Sequence, residues 1–205
     1  MKNFIEVGKT EEEQAEQIKK WIKENAPQIV IGISLGLGGI WGFDYYKNQQ
    51  HQQAIQARGH YLSVTANPNN IKALNTLKEE HAESAYTQQV NFVMAKQAMS
   101  KGNYQAALDY LSPLVGNENE FIAQNAKLRA VSVHLEIGNT DKALKVLGDN
   151  SNKAFSALYD NAKGDIYFAK NDFSAAKKHY QLALAQLSDE SRMRSLIQIK
   201  LNDIN

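Results

Sequence analysis

Polar and apolar positions divide the chain into two unequal parts. From Ile29 to Phe43 no charged side chain occurs, and five glycines fall between Gly32 and Gly42. From Lys47 onward, apolar residues recur at helical spacing in runs rich in Ala, Leu, Lys and Gln that contain only Pro68 and Pro113. No strand pattern interrupts those runs, so the expected fold class is all-α. Turn-forming residues predict breaks near Asn67-Pro68-Asn69-Asn70, Gly102-Asn103, Gly116-Asn117, Gly138-Asn139, Gly148–Asn152, Asn171-Asp172 and Ser188-Asp189.

The apolar stretch, "NAPQIVIGISLGLGGIWGFDYYK" (Asn25 to Lys47), admits four readings. A phosphate loop fails because Trp41 stands where the last glycine of G-x-G-x-x-G belongs, and no Lys-Ser/Thr follows. A cleaved signal peptide fails because 28 residues precede Ile29, Glu11-Glu12-Glu13 among them, and "FDYY" stands where small residues would mark a cut. A buried core helix is the serious competitor, since the uninterrupted apolar run from Ile29 to Phe43 is 15 residues against the roughly 20 that a span prefers. Against it, Trp21 lies before the run and Trp41, Tyr45 and Tyr46 at its far end, as at membrane interfaces. Ala26 to Tyr46 is a 21-residue stretch with Asp44 as its only charge. Glycine costs about 1 kcal/mol against alanine in a soluble helix, whereas in a bilayer it admits a neighbouring helix. The segment reads as a single transmembrane helix.

Its glycines then predict a helix-packing surface. Gly32 and Gly36 form one small-xxx-small pair, and Ser34, Gly38 and Gly42 a second series at spacing four. Lys19, Lys20 and Lys23 precede the span and only Lys47 closely follows it, so the N-terminus is expected in the cytoplasm and residues 47–205 across the membrane. Thr10 with Glu13 reads as a capping box, and Ala15, Ile18, Trp21 and Ile22 recur at helical spacing in a short arm expected on the membrane surface. The expected organisation is an arm at 1–25, a transmembrane helix at 26–46, a helical stalk at 47–69 beginning "NQQHQQAIQAR", and a repeat domain at 70–205.

Three segments of that domain resemble one another: "KGNYQAALDYL" (Lys101–Leu111), "IGNTDKALKVL" (Ile137–Leu147) and "KNDFSAAKKHY" (Lys170–Tyr180). Their breaks at Gly102, Gly138 and Asn171 lie 36 and 33 residues apart. Two residues after each break stands Tyr104, Thr140 or Phe173. Alanine follows at 107, 143 and 176, and a large side chain at Leu111, Leu147 and Tyr180. This is the pattern of a helical hairpin: the break residue accepts the turn, the alanine lets two helices cross closely, and the large residue fills the groove beyond. A period near 34 is that of tetratricopeptide (TPR) repeats, which the segments resemble, although no first helix carries the tryptophan and only Gly164 supplies the small glycine expected there. Such units stack into a solenoid, here with helices from Asn70 and Ser191 capping its ends.

In such arrays the first helix of each hairpin lines the concave face. Counting back from each turn assigns Phe92, Lys96 and Met99 to it, then Leu128 and Leu135, then Leu158, Asp165 and Phe168. An apolar strip of that kind is either a partner site, in which adaptable Met99 suits varied contacts, or core covered by neighbouring helices.

Charge and chemistry narrow the function classes. The net charge is +1, so bulk basicity offers nothing to nucleic acid, and the absence of cysteine removes disulfides, thiol catalysis and Cys-ligated metals. His51, His60, His81, His134 and His179 are scattered, with no H-E-x-x-H. Glu79-Glu80 and Asp189-Glu190 read as solvated helix ends, and there is no G-x-S-x-G elbow. No enzymatic activity, metal or cofactor is expected.

The arm and span "QIKKWIKENAPQIVIGISLGLGGIWGFDYYK", the three repeats and the closing "IQIKLNDIN" together resemble the YfgM-like ancillary subunits of the bacterial Sec translocon, over nearly the whole chain. The resemblance implies a single-pass protein of the bacterial inner membrane, its span in the lipid bilayer and its C-terminal domain periplasmic. It also implies association with the SecYEG channel and with a membrane-anchored periplasmic chaperone that has a prolyl-isomerase-like domain, and a role in handing emerging chains to periplasmic chaperones. The residues alone leave a second function open: a membrane-anchored regulator whose repeats bind an envelope stress-signalling or cell-envelope protein.

Overall fold

A computed structural model describes residues 11–150 and 152–204, so Thr10, and with it the expected capping box, lies outside the described residues. All regular structure among them is helical, in agreement with the all-α reading. The chain divides into a unit over residues 1–55 and a unit over residues 56–205.

The first unit consists, where described, of helix α1 (Glu11–Ala66) up to Ile55. Glu11, Glu12 and Glu13 occupy the first turn, where carboxylates complement the partial positive charge of the helix start. Pro27 lies inside the helix and removes one backbone donor; close by, the Asn25 side-chain amide donates to the Trp21 carbonyl at 2.8 Å. Every residue from Pro27 to Ile55 is exposed, Leu35 at 72 % and Trp41 at 79 %. Side chains this apolar with no protein cover rule out the core-helix reading, and α1 is long and apolar enough to cross a membrane.

The second unit begins with the last turns of α1. Ala57 and Val64 are buried there with Ala73, Leu74 and Leu77 of α2 (Ile71–Glu80) and Val90 and Met94 of α3 (Ala85–Ser100). The hairpins follow in order: α3 with α4 (Tyr104–Val115), α5 (Glu120–Glu136) with α6 (Thr140–Leu147), and α7 (Ser156–Ala169) with α8 (Phe173–Ala185). A 3-10 turn at Lys153–Phe155 leads into α7, and α9 (Arg192–Asn202) packs on α8.

The three repeated breaks close in the same way. Gly102, Gly138 and Asn171 have φ of 72°, 72° and 61°, the left-handed region that glycine, and among other residues asparagine, tolerates. At each break two backbone N–H groups fold back onto the preceding helix. Gly102 donates to Met99 and Asn103 to Ala98, Gly138 to Leu135 and Asn139 to His134, Asn171 to Phe168 and Asp172 to Tyr167, at 2.8–3.0 Å. This is the Schellman closure of a helix end. Asn103 and Asp172 then cap the next helix by accepting from the Ala106 and Ala175 N–H groups. Ala107, Ala143 and Ala176 are wholly buried at the crossings, with Leu111, Leu147 and Tyr180 beyond them.

One break was not expected from the sequence. Between α2 and α3, residues His81–Ser84 contain no Gly, Pro or Asn, yet α2 ends at Glu80. The Thr87 hydroxyl, within hydrogen-bond distance of the Leu77 and His81 carbonyls at 3.1 and 2.6 Å, occupies the orphaned end of α2, and Ser84 caps α3. The helices expected to start at Asn70 and Ser191 are α2 and α9, where Asn70 accepts from the Ala73 N–H and Ser191 from the Met193 N–H.

Candidate interaction surface

Stacking brings the first helices of successive hairpins side by side, α3 against α5 and α5 against α7. Between α3 and α5 lies a groove of about 450 Å³, lined by Ala95, Lys96 and Met99 of α3, Leu111 of α4, and Arg129, Ser132 and Val133 of α5. Its floor is apolar, because Ala95, Leu111 and Val133 are the same side chains that form the α3–α4–α5 core. Cations lie at its rim. The Arg129 guanidinium sits over the Phe92 ring, 4.5 Å from its centroid, and Lys96 is exposed.

The residues expected on the concave face divide among four environments. Phe92, Lys96 and Met99 belong to this groove or its edge. Leu128, Leu135 and Leu158 are half-buried against the core of α5, α6 and α7, around Val131, Leu147, Tyr159 and Ile166. Phe168 pairs edge-on with Phe173 across the tip of the third hairpin, at 5.5 Å between centroids. Asp165 is held by its neighbours, accepting from the Tyr180 hydroxyl at 2.7 Å and from the Lys200 ammonium at 2.6 and 2.8 Å. Lys200 also donates to Asn161 at 3.0 Å, so the cluster joins α7, α8 and α9. Burial, and then the hydrogen bond to Asp165, push the Tyr180 phenol well above its ordinary value.

Sequence reasoning passed over Arg129 and Ser132. They lie on an exposed polar stripe of α5, Asn125–Arg129–Ser132–Glu136, at helical spacing. That stripe is legible as the wet side of the helix, whereas apolar character alone points to Leu128 and Leu135 beside it.

Between hairpins the contacts are polar as well as apolar. The Tyr159 hydroxyl on α7 donates to the buried Gln124 side chain on α5, and burial, with the Glu120 charge second, raises the Tyr159 phenol. Lys170 donates to Asp141 at 2.7 Å, and this bond raises the Lys170 ammonium. His134 has Nδ1 buried with no hydrogen-bond partner among the described residues, and burial, with the nearby Lys142 charge, lowers its pKa from the ordinary value. No group of three metal-ligating side chains gathers among the described residues.

In α1 the four glycines of the expected packing surface face open space. A Cβ added at Gly32, Gly36, Gly38 or Gly42 would meet no atom within 4 Å.

The description of the tetratricopeptide repeat-like domain matches residues 19–205 of the chain. A protein of Haemophilus influenzae named ancillary SecYEG translocon subunit is 30% identical over 200 residues, covering 95% of this chain and 97% of the relative. Proteins of the same name from Neisseria gonorrhoeae and Escherichia coli K12 are 25% identical (95% of this chain, 97% of the relative) and 24% identical (98% and 100%). No solved structure matches the chain.

Proposed function

We propose a function from one premise: the chain belongs to the tetratricopeptide repeat-like family of ancillary SecYEG translocon subunits. Relatives of that name support a Sec-associated role for this chain. The observation that carries the reading is the extent of the match, which covers 95% of the chain and therefore both the apolar segment and the repeats.

In finer detail, the chain is a non-catalytic scaffold of the bacterial inner membrane. Residues 26–46 span the bilayer, residues 1–25 form a cytoplasmic arm and residues 47–205 are periplasmic. The span docks laterally on the SecYEG channel through Gly32, Gly36, Gly38 and Gly42, while the groove bearing Phe92, Lys96, Met99 and Arg129 holds a periplasmic partner. That partner is a membrane-anchored chaperone with a prolyl-isomerase-like domain, which receives chains as they leave the channel. The exposed apolar helix, the open glycine surface and the recessed groove support this division of labour.

The test is affinity purification of the full-length chain from membranes in mild detergent. SecY, SecE and SecG should co-purify with it, together with a prolyl-isomerase-like chaperone. Absence of the channel subunits, with an envelope signalling protein in their place, would support the regulator instead.

A further inference from the structure

We infer that the α3–α5 groove selects an acidic, apolar segment of a partner polypeptide, placing apolar side chains on the floor and a carboxylate between Lys96 and Arg129. This rests on the reading of the groove as the partner-binding face and adds the chemistry of its occupant. Three observations carry it. The floor of Ala95, Met99, Leu111 and Val133 is apolar, and about 450 Å³ accommodates a few side chains rather than a folded surface. Both charged side chains lining the groove are cations, and neither Lys96 nor Arg129 pairs with a carboxylate among the described residues. Arg129 is also held in place by its position over Phe92, so little side-chain freedom remains to be lost when an anion binds its free N–H groups.

Charge complementarity then sets the preference. A carboxylate entering the groove gains two partners while little protein charge opposes it; Glu136, the nearest acid along α5, lies one turn beyond Ser132 and outside the lining. A basic segment would instead meet two like charges at the rim. A recessed site between two helices also fits an inserted chain better than a flat lipid surface.

Three fluorescein-labelled peptides test this against the full-length chain in a non-ionic detergent. They share one leucine-alternating pattern and carry aspartate, asparagine or lysine at the polar positions, with binding followed by anisotropy. The aspartate peptide should bind at least ~10-fold more tightly than the lysine peptide at low salt, with the difference shrinking as screening grows. Lys96→Glu with Arg129→Glu should reverse the order, and Lys96→Gln with Arg129→Gln should abolish it; both positions face solvent, and circular dichroism verifies that each variant folds. Equal binding of the aspartate and lysine peptides, or an order that survives the charge reversal, overturns the inference. So does a charge-reversed chain whose only change is a lower oligomeric mass, which would make the groove a contact between copies. Co-purification of SecYEG is read separately: its absence overturns the Sec-associated reading without touching the peptide preference.

Discussion

Gly164 stands where the solenoid leaves no room for a side chain. A Cβ there would lie 2.4 Å from the Tyr180 ring, and that ring cannot swing away because it is buried and its hydroxyl is bonded to Asp165. Gly164→Ala should therefore destabilise the repeat unit by about 1–3 kcal/mol, measured by urea unfolding, despite the better helix propensity of alanine. His134 makes a different prediction. Its folded pKa lies below the ordinary 6.5, so below that pH the unfolded chain binds more protons than the folded one. Its contribution to stability is present above pH 6.5 and is lost as pH falls through the folded value. Melting temperature should drop on acidification through this window, and His134→Gln should flatten the drop.

The hairpin helices share one way of closing at their ends. At each repeated turn one residue in the left-handed region closes a helix, and the next residue begins its successor. Helix α9 is held by Ile197 and Leu201 against α8 and by the Lys200–Asp165 ion pair, whose side chains are 25% and 30% exposed. Lys200→Met keeps the aliphatic stem and removes the charge-assisted bonds, which should cost about 1–3 kcal/mol. Hydrogen exchange should then quicken in α9 while α3 to α6 keep their protection. Uniform quickening would mean that the cluster supports the whole unit.

Across the whole chain the predictions concern the membrane. On the proposed orientation, which places residues 47–205 in the periplasm, a reporter active only in the cytoplasm and fused after Asn205 should stay silent; activity would reverse the orientation argued from Lys19, Lys20 and Lys23. Gly36→Leu with Gly38→Leu fills an open helix surface without adding charge, so insertion should survive while co-purification of SecYEG weakens several-fold. Unchanged recovery of the channel would leave the span as an anchor alone.

Local chemistry made most of the fold legible. Left-handed turns need glycine or asparagine, close crossings need alanine, and a bilayer needs some 20 apolar residues, so Gly102, Gly138, Asn171, the buried alanines and the span could all be read from residue type and spacing. The break at His81–Ser84 was hidden because it is closed by Thr87, a residue on the next helix. The groove face of α5 was hidden for a related reason. Leu128 and Arg129 are neighbours in the chain, and hydrophobicity alone favours Leu128 for a binding strip. The tertiary structure half-buries Leu128 against α6 and α7 and turns Arg129 toward Phe92, because stacked hairpins bury apolar faces first and leave the polar stripe to line the groove. Which hairpins stack, and therefore which side chains remain uncovered, is decided only when helices distant in sequence meet.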